Sequence, residues 1–254
     1  MSGGDRYRWS LAASRESYEP FLKNLNRTFQ ENGETIYQGR NVLKKITWSD
    51  KAVIVKSFAV PNQLNQYIYG SIRKSKSRRA FENSIELAKR GINTPLPIGY
   101  IEYRYGRRLG ESFYAYYMWP ADFTARQVII NPQSLNRIVF LSAIGQFAWQ
   151  LHKNQVNFMD FSPGNILIRQ GEAVEFCLVD TNRVRFEPLS LRKRMQTFAR
   201  LWVDDEDLME IVAGYVKVSG DDGREATKLA LYFSQRHKRR ALRKEAIKTF
   251  LRLH

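Results

Sequence analysis

Two short stretches hold the residue types and spacing that could do chemistry. Asp160-Phe-Ser-Pro-Gly-Asn165-Ile-Leu-Ile sets an acid, an amide five residues on, and then an apolar run that reads as a strand. Phe176-Cys-Leu-Val-Asp180 ends a second apolar run on another acid, twenty residues after the first. A hairpin between the two runs folds both acids towards one point. Phosphoryl transfer asks for such a set: an acceptor for a hydroxyl proton, oxygen ligands for magnesium, and positive charge on the phosphates. Asp160 fits the proton acceptor, and Asn165 and Asp180 fit the magnesium ligands. The plainer alternative is a loop that Asp160 caps and Pro163-Gly164 turns, with Asp180 merely leaving a strand. Two acids placed around one hairpin favour the chemical reading.

The positive charge has a candidate in Ala52-Val-Ile-Val-Lys56-Ser-Phe58, a lysine inside an apolar strand. Alternation turns Lys56 away from the side of Val53 and Val55, so a solvent-facing lysine is the competing reading. Its place before Asp160 in the chain favours a contact to nucleotide phosphates. A buried lysine needs a carboxylate, and the helix that follows offers Glu82 and Glu86 on one face. Glu82, earlier in the helix and beside Phe81 and Ile85, is the preferred partner. The alternative is a solvated acidic face balanced by Arg78, Arg79 and Lys89. A phosphate-covering loop between the first strands is poor in glycine: only Gly39 is available, with Arg40 and Asn41 beside it. Met118, at the end of a later strand, is a further candidate for the nucleotide.

These residues need elements to hold them. Apolar spacing predicts a helix over 16–31, with Phe21, Leu22, Leu25 and Phe29 on one face. Strands are expected at Thr35–Gln38, Val42–Trp48 and Ala52–Phe58, and an irregular insert from Pro61 to Ile72. Ser75 or Ser77 caps a helix to about Arg90, closed by Gly91. Strands Ile98–Tyr105 and Ser112–Trp119 follow, and Pro120 ends the second. A long helix is expected over Leu135–His152, then the hairpin strands Asn165–Arg169 and Val174–Val179, then helices from about Leu189. The order predicts an N-terminal extension (1–32), a sheet-rich lobe (33–119) and a helical lobe (120–254).

Bulk properties bound the possibilities. The chain has 254 residues, 43% apolar and 13% aromatic, which is globular and not disordered. The lone cysteine, Cys177, excludes an internal disulfide and reads as a buried strand thiol. Residues Met1–Arg6 show no signal-peptide pattern, and no run reaches the roughly 18 apolar residues of a membrane span. The chain is expected in the cytoplasm. Lys and Arg number 41 against 25 Asp and Glu, a net charge of +16 that should draw the chain to a polyanion. Much of it sits in Arg236-His-Lys-Arg-Arg-Ala-Leu-Arg-Lys-Glu-Ala-Ile-Lys. With Leu242, Ile247, Phe250 and Leu251, this is either a basic amphipathic helix for an anionic bilayer or a helix packed on the second lobe. Nucleic acid is disfavoured, because no zinc site or RNA-recognition pattern stands out.

The stretches above, with Arg78-Arg79-Ala-Phe-Glu82, Arg90-Gly-Ile-Asn-Thr-Pro-Leu-Pro97, Leu151-His152 and Leu178-Val-Asp180-Thr-Asn-Arg183, resemble the lipopolysaccharide kinase (Kdo/WaaP) family from about Gly33 to Phe186. The Gly-Ile-x-Thr-Pro-x-Pro segment is the most family-specific part. The resemblance implies an α+β, protein-kinase-like two-lobed fold, with a β-rich N-lobe holding one main helix and a helical C-lobe. It implies ATP and magnesium as cofactors, Asp160 as catalytic base, Asn165 and Asp180 as metal ligands, and Lys56 with Glu82 as the ATP-positioning pair. The acceptor would be a Kdo or heptose hydroxyl of lipopolysaccharide or its lipid-linked core precursor. The protein would then be peripheral on the anionic cytoplasmic face of the inner membrane, with no partner protein expected. Three features depart from the pattern: Phe158 stands where a His is usual, Thr181-Asn182-Arg183 follows Asp180, and the glycine loop is reduced to Gly39. The competing functions are a kinase of another acceptor, protein or small molecule, and a pseudokinase on a polyanionic membrane surface.

Overall fold

Alternating apolar residues in the first half of the chain pair into an antiparallel sheet. The computed structural model describes residues 6–131 and 136–252, so most of Met1–Arg6 lies outside it. Two compact units divide the chain: Met1–Pro120 with Asp180–Arg183, and Ala121–Val179 with Val184–His254.

In the first unit the elements run β1 (Arg6–Leu11), α1 (Glu19–Lys23), α2 (Leu25–Glu31), β2 (Glu34–Gln38), β3 (Val42–Trp48), β4 (Lys51–Phe58), α3 (Gln63–Ser71), α4 (Lys76–Lys89), β5 (Pro97–Tyr105) and β6 (Arg108–Tyr117). Among the described residues the strand order is β1-β5-β6-β4-β3-β2. The two faces of this sheet bury different partners. Phe21, Leu22, Leu25 and Phe29 pack against Val53, Val55, Ile101 and Phe113 on one side. Ala80 and Phe81 of α4 pack against Ile54, Phe58, Tyr100 and Tyr114 on the other. Strand alternation therefore puts Lys56, between Ile54 and Phe58, on the α4 side.

Two expectations are corrected here, and a strand not expected is present: β1 pairs with β5 along its whole length, from Arg6 opposite Arg104 to Leu11 opposite Gly99. Trp9 and Leu11 alternate into the core under α1. The helix over 16–31 is broken at Asn24, whose side chain turns back to the Pro20 carbonyl at 3.0 Å. The insert from Pro61 to Ile72 is not irregular but holds helix α3. Asn62 caps it by accepting from the Asn65 N–H at 3.1 Å. Helix α4 starts as expected, with Ser75 accepting from the Arg78 N–H at 3.0 Å. Gly91 follows its end at φ +70°, where L side chains are strained.

The second unit contains β7 (Phe123–Thr124), α5 (Ala125–Ile130), α6 (Arg137–Lys153), β8 (Val156–Phe158), β9 (Ile166–Arg169), β10 (Glu175–Leu178), β11 (Val184–Phe186), α7 (Leu191–Thr197), α8 (Asp205–Ser219) and α9 (Gly223–Arg252). Leu135, the expected start of the long helix, lies outside the described residues. Helices α6 and α8 meet almost backbone to backbone. A Cβ on Gly145 would run into the Ile211 carbonyl, and one on Gly214 into the Ser142 carbonyl. Cys177 is buried in β10, and burial pushes its thiol up, as the apolar run implied. Helix α9 buries Ala226, Ala230 and Phe233. Residues 242–249 are exposed on every side. The side chains of Phe250 and Leu251 lie outside the described residues.

Candidate active site

The loop after β8 is built by local bonds. Phe158 and Phe161, 1% and 0% exposed, anchor it on either side of Asp160. The phenyl of Phe158 fills the position expected for a structural His and packs edge-on to Phe161. Between the anchors the chain turns tightly. The Ser162 N–H reaches the Asp160 carbonyl at 2.7 Å, and Asn165 Nδ2 donates to the same carbonyl at 3.0 Å. That bond orients the Asn165 amide and leaves its Oδ1 as the acceptor. The Val179 N–H bonds to the Asn165 carbonyl at 3.0 Å, and Asp180 is the next residue. Asp160 itself is partly exposed, and its Oδ1 faces Arg200 Nη1 at 3.2 Å.

Asp180 belongs to the first unit by its contacts. Its Oδ2 lies 2.8 Å from Lys56 Nζ, a pair in which the lysine side chain is 8% exposed. Asn182 Nδ2 holds the other oxygen. Asp180 has φ +60°, a left-handed conformation in which Asp is tolerated. The residues after it explain why the conformation persists. Thr181 is buried and bonds through Oγ1 to the Ala80 carbonyl at 3.0 Å and to Ser84 Oγ at 2.9 Å. Asn83 Nδ2 donates to the Thr181 carbonyl at 2.7 Å, and Tyr114 donates to Ser84 at 2.9 Å. Helix α4 thus clamps residue 181, and the clamp sets Asp180 against Lys56.

This arrangement corrects the expected ion pair. Glu82 does not reach Lys56; it binds Lys74 at 2.7 Å and Arg78 at 2.8 Å. Burial opposes its ionisation, but those two bonds outweigh it and hold its carboxyl below the usual range. Glu86 pairs with Arg90 at 2.8 Å. The cause is helical phase. The face of α4 turned inward carries Ser77, Ala80, Phe81, Ser84 and Leu87, and both glutamates sit beside that stripe. Ser84 was missed by sequence reasoning, yet it had a signal: Ser77 and Ser84, seven residues apart, lie in register with Phe81 and Leu87.

Positive charge gathers around Asp180 from several elements. Burial lowers the pKa of Lys76, at the start of α4, and the fields of Arg40, Arg183 and Arg79 lower it further, while Asp180 opposes them. Lys76 and Arg79 were not among the expected site residues. Gly39 lies in the β2–β3 turn with its N–H committed to the Asn41 carbonyl at 3.1 Å. Met118 follows β6, its N–H bonded to Ala52 at 2.9 Å and its side chain half exposed.

The donor chemistry fits a hard divalent cation. Asn165 Oδ1 and the Asp180 carboxylate are oxygen donors of the kind magnesium takes beside phosphate oxygens and water. Among the described residues no group of three or more His, Cys, Asp and Glu is placed to hold a metal ion.

Residues 121–211 match the sequence model of the Lipopolysaccharide kinase (Kdo/WaaP) family. No curated protein matches the chain by sequence. Among solved structures the fold is similar to that of WaaP, solved in complex with acyl carrier protein. The TM-score is 0.61 at 13% identity, over 91% of this chain and 98% of that one. It is also similar to the Rio2 kinase of Chaetomium thermophilum, solved as an ADP/Mg2+–phosphoaspartate complex. There the TM-score is 0.51 at 14% identity, over 84% of this chain and 66% of the other. At such identities the structural likeness speaks for the fold, a sheet-rich unit followed by a helical one. Residues 121–211, a span that includes Asp160, Asn165 and Asp180, are thus similar in sequence to the lipopolysaccharide kinase (Kdo/WaaP) family, and the fold is similar to that of WaaP and Rio2.

Proposed function

We propose that the protein is an ATP-dependent kinase that phosphorylates a sugar hydroxyl, of Kdo or heptose, in the lipopolysaccharide inner core. The observation that carries this reading is the family match over residues 121–211, which spans the whole Asp160–Asp180 hairpin. The Lys56–Asp180 pair supports it from the other unit. In this reading Asp160 accepts the proton of the attacking hydroxyl, and Lys56, Lys76 and Arg79 bind phosphate oxygens. Magnesium, held by Asn165 and Asp180, would neutralise phosphate charge during transfer. Lys56 and Asp180 serve each other as counter-ions. Bound nucleotide and cation would offer each another partner, a phosphate oxygen for Lys56 and the cation for Asp180.

The acceptor lies on a membrane glycolipid, so the same reading makes the protein peripheral on the cytoplasmic face of the inner membrane. Its +16 charge supports attraction to an anionic surface, and among the described residues no helix is long and apolar enough to cross a bilayer. The complex of WaaP with acyl carrier protein brings a protein partner into the reading as well, which the sequence did not call for.

Transfer of labelled γ-phosphate from magnesium–ATP to Kdo-containing lipopolysaccharide precursors tests the proposal. Label is expected in the glycolipid with wild type and not with Asp160→Ala. Wild type that leaves the glycolipid unlabelled, while ATP still raises its melting temperature, would overturn the acceptor assignment.

A further inference from the structure

We infer that Arg126, Arg200 and Trp202 form a subsite for an anionic sugar beside Asp160, the guanidinium groups taking its carboxylate or phosphate and the indole taking its ring. The inference rests on the kinase reading for its purpose, but on the second unit alone for its geometry. A cavity of about 390 Å³ opens in that unit, a size within the usual range for small-molecule sites, about 300–1,000 Å³. Its walls include Arg126, Ile130, Ser162, Pro163, Arg200 and Trp202. Ser162 and Pro163 belong to the same turn as Asp160, and Arg200 touches the Asp160 carboxylate at 3.2 Å. The cavity therefore lies beside the proposed base.

The lining carries a chemical preference. It holds two arginines and no carboxylate. Planar guanidinium forks match carboxylate and phosphate oxygens in pairs. Arg126, at the first turn of α5, is exposed and has no carboxylate within ion-pair distance among the described residues. Gly164 leaves room for it: a Cβ there would come within 3.3 Å of Arg126 Nη2. A neutral sugar gives no use for such a charge.

Trp202 supplies the other half. Its φ is +58°, a region that bulky residues rarely enter. The kink buries its neighbours, Leu201 at 1% and Val203 at 2% exposure, and turns the indole outward at 52%. Two contacts from α9 hold the kink. Lys238 Nζ donates to the Val203 carbonyl at 2.6 Å, and His237 packs edge-on to the indole at 5.4 Å. Backbone strain kept in place to display an apolar ring on a cavity wall is a feature of ligand sites, and an indole face suits the C–H face of a pyranose.

The test is a binding titration. The probe is a deacylated Kdo-containing core oligosaccharide, compared with the same oligosaccharide after carboxyl reduction and dephosphorylation. Wild type is expected to bind the anionic form about tenfold or more tightly than the neutral one. Arg126→Gln should erase that preference at an unchanged melting temperature, and Trp202→Ala should weaken both forms alike. Equal binding of both forms by wild type, no binding of either, or an undiminished preference in Arg126→Gln would each overturn the subsite. Binding as expected without phosphate transfer would sink the kinase reading and leave the subsite standing. Transfer with full preference in the variant would sink the subsite alone.

Discussion

Lys56 Nζ and Asp180 Oδ2 lie 2.8 Å apart, with the lysine nearly buried between β4 and α4. The ammonium also lies 5.2 Å from the Phe58 ring centroid, and its side chain is 8% exposed. A charge in such a place is costly when its partner is removed. Lys56→Met and Asp180→Asn should each destabilise the fold, and the double variant should cost less than their sum. The expected coupling is about 1–3 kcal/mol from chemical denaturation. Single effects that add to within about 0.5 kcal/mol would show that the pair contributes nothing to stability.

Glu82 and Ser84 should behave in opposite ways. Glu82 is a third exposed and joined to two partly exposed cations. Glu82→Gln should therefore cost under about 1 kcal/mol and leave the nucleotide affinity within twofold or so. Ser84 is buried and joins Tyr114 to Thr181. Ser84→Ala removes one hydrogen bond from each hydroxyl and should cost about 1 kcal/mol per bond lost. Because Thr181 holds Asp180 in place, nucleotide affinity should fall too. A large loss of ATP binding in Glu82→Gln, with Ser84→Ala silent, would restore the pairing expected from sequence.

The acid hairpin was legible because its signals are local: an acid, an amide and two apolar runs within one short stretch. Lys56 was legible for the same reason, as a lone cation in an apolar strand. The partner of Lys56 was not, because it depends on the phase of α4 against the sheet. Phe81 and Ile85 flank more than one possible inward face, and the Ser84–Thr181 contact joins residues far apart in the chain. Strand β1 escaped notice because Tyr7, Trp9 and Leu11 alternate with Arg8 and Ser10 over too short a run to stand out, and its pairing to β5 is long-range. Helix α3 hid behind Asn and Gln residues with little apolar periodicity. Gly145 carries no local signal of its role, because only the approach of α8, so close that no side chain fits there, requires it.

His152 links the helical unit to pH. It is 5% exposed, with Nδ1 3.2 Å from the Tyr215 hydroxyl and Nε2 3.3 Å from Thr197 Oγ1. Burial, helped by the nearby Arg194 and opposed by Asp221, pushes its pKa down to about 3. The unfolded chain binds a proton near pH 6.5 that the folded one refuses. Stability is therefore full above about pH 6.5 and falls as pH drops towards 3. Melting temperature should decline more steeply between pH 7 and 4 in wild type than in His152→Gln. Parallel slopes would show that His152 is not the group responsible.

The exposed end of α9 gives the last prediction, and helical geometry decides its form. Leu242 and Ile247 are both exposed, but five residues apart they point about 140° from each other. The cations Arg239, Arg240, Arg243, Lys244 and Lys248 cover about half of the helix circumference. Among the described side chains of residues 239–249, the two large apolar residues share no face that could sink into a bilayer. Any grip on anionic vesicles must be electrostatic, on the order of 1 kcal/mol per cation near the surface and screened by salt. Wild type should bind phosphatidylserine-containing vesicles at low ionic strength and release them as salt approaches about 0.5 M. Replacing Arg239, Arg240, Arg243 and Lys244 by Glu should abolish that binding, whereas Leu242→Asp and Ile247→Asp should each cost no more than one added negative charge. Binding that survives high salt, or that Leu242→Asp destroys, would mean that the helix inserts apolar side chains after all.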